Sequence, residues 1–321
     1  STRSGVIYLS ETVSKIKFEK PNNLKEEIIA SKVAGNDNGF SYNTALNTNY
    51  DFYENYVDFG INMVSPIANN AFNYYKYQLE STFYDENNKL INKIKVTPKR
   101  DKEPVFEGHI YIVEDSWAIY GIDLDMKGYR MQQPILETMT LVQNFSFNTT
   151  NQLWIKNIQS LEFDAGIFGM KFTGKFTYVF SNYQFKDAFD KKTFGKEIVS
   201  FAEDSNKKED SYWTTFRPVP LTEEEATNYI KKDSIQTLRK SQTYLDSIDA
   251  KDNRFHLGKI LTGYTYKNSY EKWSFNYQGI SGLGATSFNT VQGWSLNTGF
   301  SYRKTNEEKD RRCQKKGTGS C

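Results

Sequence analysis

Few residues in this chain have the type and spacing that catalysis requires. Asp123 and Asp125 lie two positions apart, so on a strand both carboxylates project from the same side. Such a pair can exchange protons with a substrate or hold a cation. Ile122, Leu124 and Met126 alternate with them, which is typical of a sheet with one solvated and one buried side. We therefore interpret the two aspartates as part of a solvated face.

The remaining candidates for chemistry are isolated. His109 and His256 are far apart in the sequence, and neither has neighbours at the spacing of metal ligands. No Ser-His-Asp order and no nucleophile elbow is visible. Gly279, Gly282 and Gly284 resemble a phosphate-binding loop, but no helix follows them. The sequence thus predicts no catalytic residue, no metal site and no cofactor, and a protein that is not an enzyme.

A basic run offers a candidate contact with anionic lipid head groups. It consists of Lys93, Lys95, Lys99, Arg100 and Lys102. A solvated strand face and turn explains the same residues, and we take that as the default. The net charge of the whole chain is only +2, so a nucleic-acid partner is not expected.

The bulk composition favours strands. Aromatic residues make up 16% of the 321 positions, a fraction typical of sheets rather than helical bundles. No run of eighteen apolar residues is present, so no transmembrane helix is predicted. The two cysteines, Cys313 and Cys321, lie in the last few residues, where they cannot join core strands or form a metal cage.

We divide the chain into five parts. Residues 1–73 are predicted to hold an extended segment (5–18) and two short helices, one over residues 24–33 and one from Ser65-Pro66 through Ala71. Residues 74–185 alternate with period two in seven segments separated by short polar turns, which indicates an antiparallel meander. One face of this curved sheet or half-barrel is consistently apolar, so it must be covered or curled.

This apolar face is the predicted ligand-binding surface, suited to a lipid or acyl chain if helices leave it open. Its residues are Tyr77, Leu79, Ile94, Ile110, Ile122, Leu141, Phe172, Phe176 and Tyr178.

Residues 186–258 are predicted to be a charged linker, a proline-rich segment and helices. Pro218 and Pro220 exclude a helix over residues 213–221. Thr222 and Glu225 form a capping box that begins a helix. Arg217, beside the prolines, is the predicted residue for interaction with a protein partner.

Residues 259–303 are predicted to be the start of a β-barrel. Residues 288–303 read as one strand with ring side chains near both ends, which is typical of outer-membrane barrels. Residues 304–321 do not continue this pattern, and we interpret them as a tail that is not native.

Eight phrases of the sequence, in order, resemble a group of Bacteroidetes outer-membrane proteins. They are IYLSET (7–12), KEEIIASKVAG (25–35), VSPIANNAFNYYKYQLE (64–80), KIKVTPKR (93–100), PVFEGHIYI (104–112), FRPVPLTEEE (216–225), TYLDSIDAKDN (243–253) and FNTVQGW (288–294). In that group a carboxypeptidase-regulatory-like domain precedes a domain of unknown function and a C-terminal β-barrel. The resemblance implies that this chain is the middle part of such a protein, on the periplasmic side of the outer membrane. It implies no established activity.

The function predicted from these observations is a non-enzymatic periplasmic module that shelters a lipid. The alternative is an assembly domain whose core is self-filled and which docks another envelope protein. A hydrolase is suggested only by the name of the neighbouring domain, and no catalytic constellation supports it.

Overall fold

The computed structural model describes residues 8–20, 23–36, 48–190, 192–280, 286–291, 293–296 and 298–305. The chain divides into two compact units. Unit 1 contains Ser1–Lys15, Glu27–Tyr42 and Phe201–Cys321, and unit 2 contains Ile16–Glu26 and Asn43–Ser200. Most of the regular structure is strand, arranged in several antiparallel sheets, and no sheet of the described residues closes into a barrel. The prediction of a mainly β, α+β fold is confirmed.

The first four strands are β1 (Ser10–Glu19), β2 (Asn23–Val33), β3 (Tyr56–Asp58) and β4 (Asn62–Val64). The helix predicted over residues 24–33 is therefore wrong. Glu26, Ile28 and Ala30 are buried with period two. The backbone N–H of Ser31 donates to the carbonyl of Ser205 (2.8 Å), and the carbonyl of Ile28 accepts from Ala202 (2.9 Å). Such distant partners override the helical propensity of the local Glu, Lys and Ala residues.

The helix predicted from Ser65-Pro66 is also wrong. This segment makes turns that end in a short 3-10 helix, Ala71–Asn73. The Ser65 hydroxyl donates to the carbonyl of Phe52 at 2.6 Å and accepts from the backbone N–H of Ile67 at 3.3 Å. The serine thus caps a turn and ties it to the preceding loop instead of starting an α-helix.

A seven-stranded antiparallel meander dominates unit 2, as the alternation predicted. Each strand pairs with the next along the chain, and the register is known for all six pairs. The strands are β5 (Tyr75–Tyr84), β6 (Leu90–Pro98), β7 (Glu107–Val113), β8 (Ile119–Lys127), β9 (Leu136–Asn148), β10 (Leu153–Ile167) and β11 (Met170–Val179). A 3-10 helix, Gly128–Met131, lies in the connection between β8 and β9. A short strand follows the meander, β12 (Val199–Phe201), and it completes a three-stranded sheet of order β1-β2-β12.

Unit 1 contains the four α-helices of the described residues. They are α1 (Asp210–Phe216), α2 (Glu223–Lys240), α3 (Gln242–Asp252) and α4 (Gly258–Thr262). The capping box is confirmed: the Thr222 hydroxyl accepts from the backbone N–H of Glu225, and the Glu225 carboxylate accepts from that of Thr222. The exclusion of helix from residues 213–221 is only partly right, because α1 continues to Phe216 and ends before Pro218.

The last strands of unit 1 are β13 (Tyr264–Asn268), β14 (Trp273–Tyr277), β15 (Thr286–Asn289), β16 (Gly293–Leu296) and β17 (Phe300–Lys304). The single strand predicted over residues 288–303 is wrong. Phe288 and Trp294 face each other across the β15–β16 hairpin, and β17 instead pairs with β14. A period of two cannot reveal a turn whose residues continue the alternation.

Several predictions lie outside the described residues. They concern the tail after Thr305, with both cysteines, and the glycine-rich loop at residues 281–285. Within the described part of the chain, no helix has the length and apolar character to cross a bilayer.

Candidate functional site

Two rows of paired residues cross one face of the seven-stranded sheet. The first row consists of Tyr77, Val96, Gly108, Leu124, Leu141, Leu161 and Phe176. The second consists of Leu79, Ile94, Ile110, Ile122, Gln143, Gln159 and Tyr178. Phe172 lies four residues before Phe176 on β11 and therefore on the same side. The register thus brings all the predicted ligand-binding residues to one face.

The centre of this face is closed by the chain itself. Ile110, Ile122 and Leu141 are each no more than 3% exposed. The segment between residues 50 and 74 contributes to the same core cluster, with Phe52, Val57, Met63, Val64, Ala68 and Ala71. Because close-packed side chains leave no room for a further group, the centre cannot hold an acyl chain in this arrangement.

Two buried amides on this face bind the covering segment. The Gln143 side-chain N–H donates to the carbonyl of Tyr50 (2.8 Å) and to Gln159 Oε1 (2.8 Å). Gln159 Nε2 donates to the carbonyl of Thr48 (2.9 Å). Both glutamines are fully buried, so each lost bond would leave a costly unsatisfied group. The sequence analysis did not identify these glutamines. The available signal is that each one takes a position where the alternation places apolar residues, because a buried amide needs a hydrogen-bonding partner.

Lys156 adds a partly buried amine to this network. Its Nζ donates to Gln159 Oε1 at 3.0 Å and lies 5.2 Å from the centre of the Phe180 ring. Burial lowers the pKa of Lys156 to about 8, and the Asp51 carboxylate raises it by a smaller amount. A substantial fraction of this amine is therefore neutral at mildly alkaline pH.

The margins of the predicted surface remain accessible. Leu79 on β5 is 58% exposed, and Phe172, Phe176 and Tyr178 on β11 are half-buried. Burial raises the pKa of Tyr178 to about 12, with smaller contributions from Tyr50 and Glu26. Any ligand on this face would therefore have to bind at an edge strand, not over the middle.

The opposite face of the sheet is mixed: Ile91 and Val113 are buried on it, whereas charged groups nearer the middle of the strands pair with one another. His109 Nε2 lies 3.0 Å from Glu80 Oε2, and Lys93 Nζ lies 3.4 Å from the same oxygen. Although partial burial raises the pKa of Glu80, hydrogen bonds from Lys93 and His109 lower it below its usual value. His109 belongs to unit 2 and His256 to unit 1.

The two aspartates lie in the charged part of this opposite face, on the side away from Ile122 and Leu124, as predicted. Asp123 pairs in register with His109, and Asp125 pairs with Thr140, whose hydroxyl donates to it at 2.5 Å. Across the described ranges of the chain, no three His, Cys, Asp or Glu side chains are grouped as metal ligands. The aspartates are thus placed among hydrogen-bonding neighbours of an open sheet face.

Arg217 is engaged inside unit 1. Its Nε and Nη2 donate to the two carboxylate oxygens of Glu11 at 2.6 and 2.7 Å. This bidentate pair with Glu11 raises the pKa of Arg217. Burial, together with the Glu11 carboxylate, raises the pKa of Tyr229. Lys32 Nζ lies 4.7 Å from the centre of the Tyr229 ring. A partner that bound Arg217 would have to compete with the Glu11 pair.

The three-stranded sheet β13-β14-β17 has one aromatic face. The register places Tyr264, Tyr277 and Phe300 in one row and Tyr266, Phe275 and Tyr302 in the next, with Trp273 beyond them. Thr265, Lys267, Ser274, Asn276, Ser301 and Arg303 alternate with these rings and so occupy the other face. Phe300 and Tyr302 are 65% and 63% exposed, so the aromatic face is only partly covered.

Residues 1–183 match the model of a family described as "Family of unknown function (DUF5686)". The chain belongs to the DUF5686 family. Residues 258–318 match the model of the DUF5686 C-terminal domain, which covers the aromatic sheet, whereas the first match covers the seven-stranded sheet. A search of curated proteins and a search of solved structures returned no match. Membership of DUF5686 does not assign an activity.

Proposed function

We propose that this DUF5686 chain is a non-enzymatic module of an outer-membrane β-barrel protein on the periplasmic side, and that its aromatic sheet contacts lipid. The ordered phrases that resemble Bacteroidetes envelope proteins support the location. The DUF5686 matches are compatible with it but name no compartment.

The observation that carries the lipid contact is the exposed aromatic face of β13-β14-β17. Ring side chains fill the two rows from Tyr264 to Phe300 and from Tyr266 to Tyr302, and Trp273 extends them into a third row, while the reverse face is polar. Strands that separate lipid from a polar interior alternate in this way. A soluble protein seldom leaves so many neighbouring rings in water, because apolar surface is favourably transferred out of it.

The structure supports the predicted binding of an acyl chain to the seven-stranded sheet only at the edges of that sheet. Only the margins at Leu79 and at β11 are accessible, since the centre is filled. The filled core is compatible with the alternative of an assembly domain. Arg217, the residue predicted to contact a partner, is already bound to Glu11, so it supports that alternative less. We keep the role non-enzymatic because His109, Glu80 and Lys93, in the charged part of the opposite face, bind one another.

A photoreactive phospholipid tests this proposal. The full chain is mixed with micelles containing a phospholipid that carries a diazirine on its acyl chain, irradiated, digested and mapped by mass spectrometry. We expect adducts in the peptides of β14 and β17, reduced by Phe275→Thr and unchanged by Asn276→Thr on the polar face of the same strand. Adducts confined to β11 would support the sheltering function instead, and an absence of adducts would contradict both lipid roles.

A further inference from the structure

The two ends of the seven-stranded sheet differ in charge. At one end are the connections 99–106, 128–135 and 168–169, which we call the basic end. They contain four cations (Lys99, Arg100, Lys102, Arg130) and two acids (Asp101, Glu103). The Arg130 side chain is only 3% exposed and is bound to Asp101 and Glu107, so Lys99, Arg100 and Lys102 are the cations that a surface would meet. At the acidic end, connections 85–89, 114–118 and 149–152 contain four acids (Asp85, Glu86, Glu114, Asp115) and one cation (Lys89). The net charges are therefore +2 and −3. This polarity favours one orientation near an anionic surface.

An aromatic side chain forms the tip of the basic end. Phe168 and Gly169 are the two residues of the β10–β11 hairpin turn, with φ of 50° and 80°. Two positive φ values identify the turn that normally takes Asn-Gly. A bulky residue in this conformation is uncommon and strained, and strain of this kind often accompanies function. Phe168 is 98% exposed, so packing within the chain does not account for it.

Other apolar side chains are exposed at the same end. The backbone carbonyl of Ile135 accepts from Gly166, which places Ile135 beside the base of the hairpin. Exposed fractions are 49% for Ile135, 55% for Tyr129, 67% for Met170 and 76% for Phe72. Lys171, next to Met170, is 78% exposed in its side chain and reaches Glu137 at 3.2 Å. Apolar tips among cations form the pattern that binds a membrane surface.

We propose that the basic end docks on an anionic lipid bilayer, with Phe168 and Met170 entering the boundary between head groups and acyl chains. A projecting tip requires a matching hole in a protein partner, whereas a bilayer deforms around it. The net positive charge complements anionic head groups. The acidic end then points away from the membrane. This inference concerns residues other than the aromatic sheet and goes beyond the function proposed for that sheet.

The acidic end provides a matched control. Trp117 is also aromatic, also at positive φ (56°), and 73% exposed. Asparagine suits the left-handed conformation, so Phe168→Asn and Trp117→Asn each remove a ring while retaining or improving the turn. Neither substitution should destabilise the fold, so a loss of binding can be attributed to the missing ring. Unfolding midpoints equal to or higher than that of the wild type would verify that both variants are folded.

The test is flotation of the full chain with vesicles of phosphatidylcholine containing phosphatidylglycerol. We expect Phe168→Asn to weaken partition about ten-fold, as expected for one Phe side chain removed from an apolar contact. Trp117→Asn should partition like wild type, and pure phosphatidylcholine or higher salt should weaken binding. Lys102→Glu should weaken it only on anionic vesicles.

Four outcomes overturn the proposal. The first is that the wild type does not float with the vesicles, and the second is that Phe168→Asn floats as well as the wild type. The third is that Trp117→Asn loses as much partition as Phe168→Asn. The fourth is that the lipid-free protein is a dimer in ultracentrifugation and that Phe168→Asn makes it a monomer. If Phe275→Thr abolishes flotation while Phe168→Asn does not, the docking of the basic end is rejected and the proposed lipid contact of the aromatic sheet is supported. The reverse result rejects the aromatic sheet and supports the basic end.

Discussion

The seven-stranded sheet and the β13-β14-β17 sheet both have one apolar face, but the two faces differ in exposure. Leu141, in the middle of the larger sheet, is completely buried, whereas Tyr302 in the smaller sheet is 63% exposed. The larger sheet is covered by a segment of its own chain, held by the amides of Gln143 and Gln159. An apolar face therefore identifies a surface to be covered, and the hydrogen bonds of its buried polar side chains show whether the chain itself covers it.

The largest expected effect is on the covered face. Phe106 is fully buried, so Phe106→Ala should lower the free energy of unfolding by about 3–5 kcal/mol through lost burial and a cavity. Phe300→Ala, at a 65% exposed ring, should cost less than about 1 kcal/mol. Denaturant unfolding of both variants measures the difference. Equal losses would mean that the aromatic sheet has a cover of its own in solution.

An intermediate effect tests how the cover is held. Gln159→Leu removes the donor to the Thr48 carbonyl and the acceptor for Lys156, and should cost about 1–3 kcal/mol. Hydrogen exchange should quicken at residues 48–52, because their anchor is lost. Gln78→Leu, on the exposed face of β5, is the matched control and should leave that exchange unchanged. Unchanged exchange in Gln159→Leu would show that packing alone holds the segment.

The smallest effect is a pH dependence. The folded pKa of Lys156 is about 8, below the ordinary 10.5, so above pH 8 the unfolded chain binds more protons at this residue. Stability should therefore rise with pH, by about 1 kcal/mol between pH 7 and 9. Above pH 10 the raised pKa of Tyr178 has the opposite sign and stability falls again.

Unfolding midpoints at several pH values measure this dependence. Lys156→Met should remove the rise between pH 7 and 9, and Lys175→Met, at a 62% exposed side chain paired with Glu162, should retain it. If stability still rises between pH 7 and 9 in Lys156→Met, the Lys156 amine is not the source of the rise. The amine would then be solvated in the folded protein.

Local patterns predicted local structure well. The period of two from Tyr75 to Val179 gave the meander and the shared face, because successive side chains of a strand point to opposite sides. Thr222 and Glu225 gave the start of α2, since a capping box is completed within four residues. The helix prediction for residues 24–33 was wrong because β2 lies between β1 and a segment, residues 198–205, that is far along the chain.

The sequence by itself determined the strand-rich composition, the antiparallel meander and the residues that share its apolar face. Tertiary structure alone decided that the middle of this face is filled, that Gln143 and Gln159 bind the covering segment, and that Phe168 projects from a hairpin tip. The physical reason is the range of the interactions. Alternation and capping depend on neighbours in the sequence, whereas burial and exposure depend on which distant segment packs against each surface.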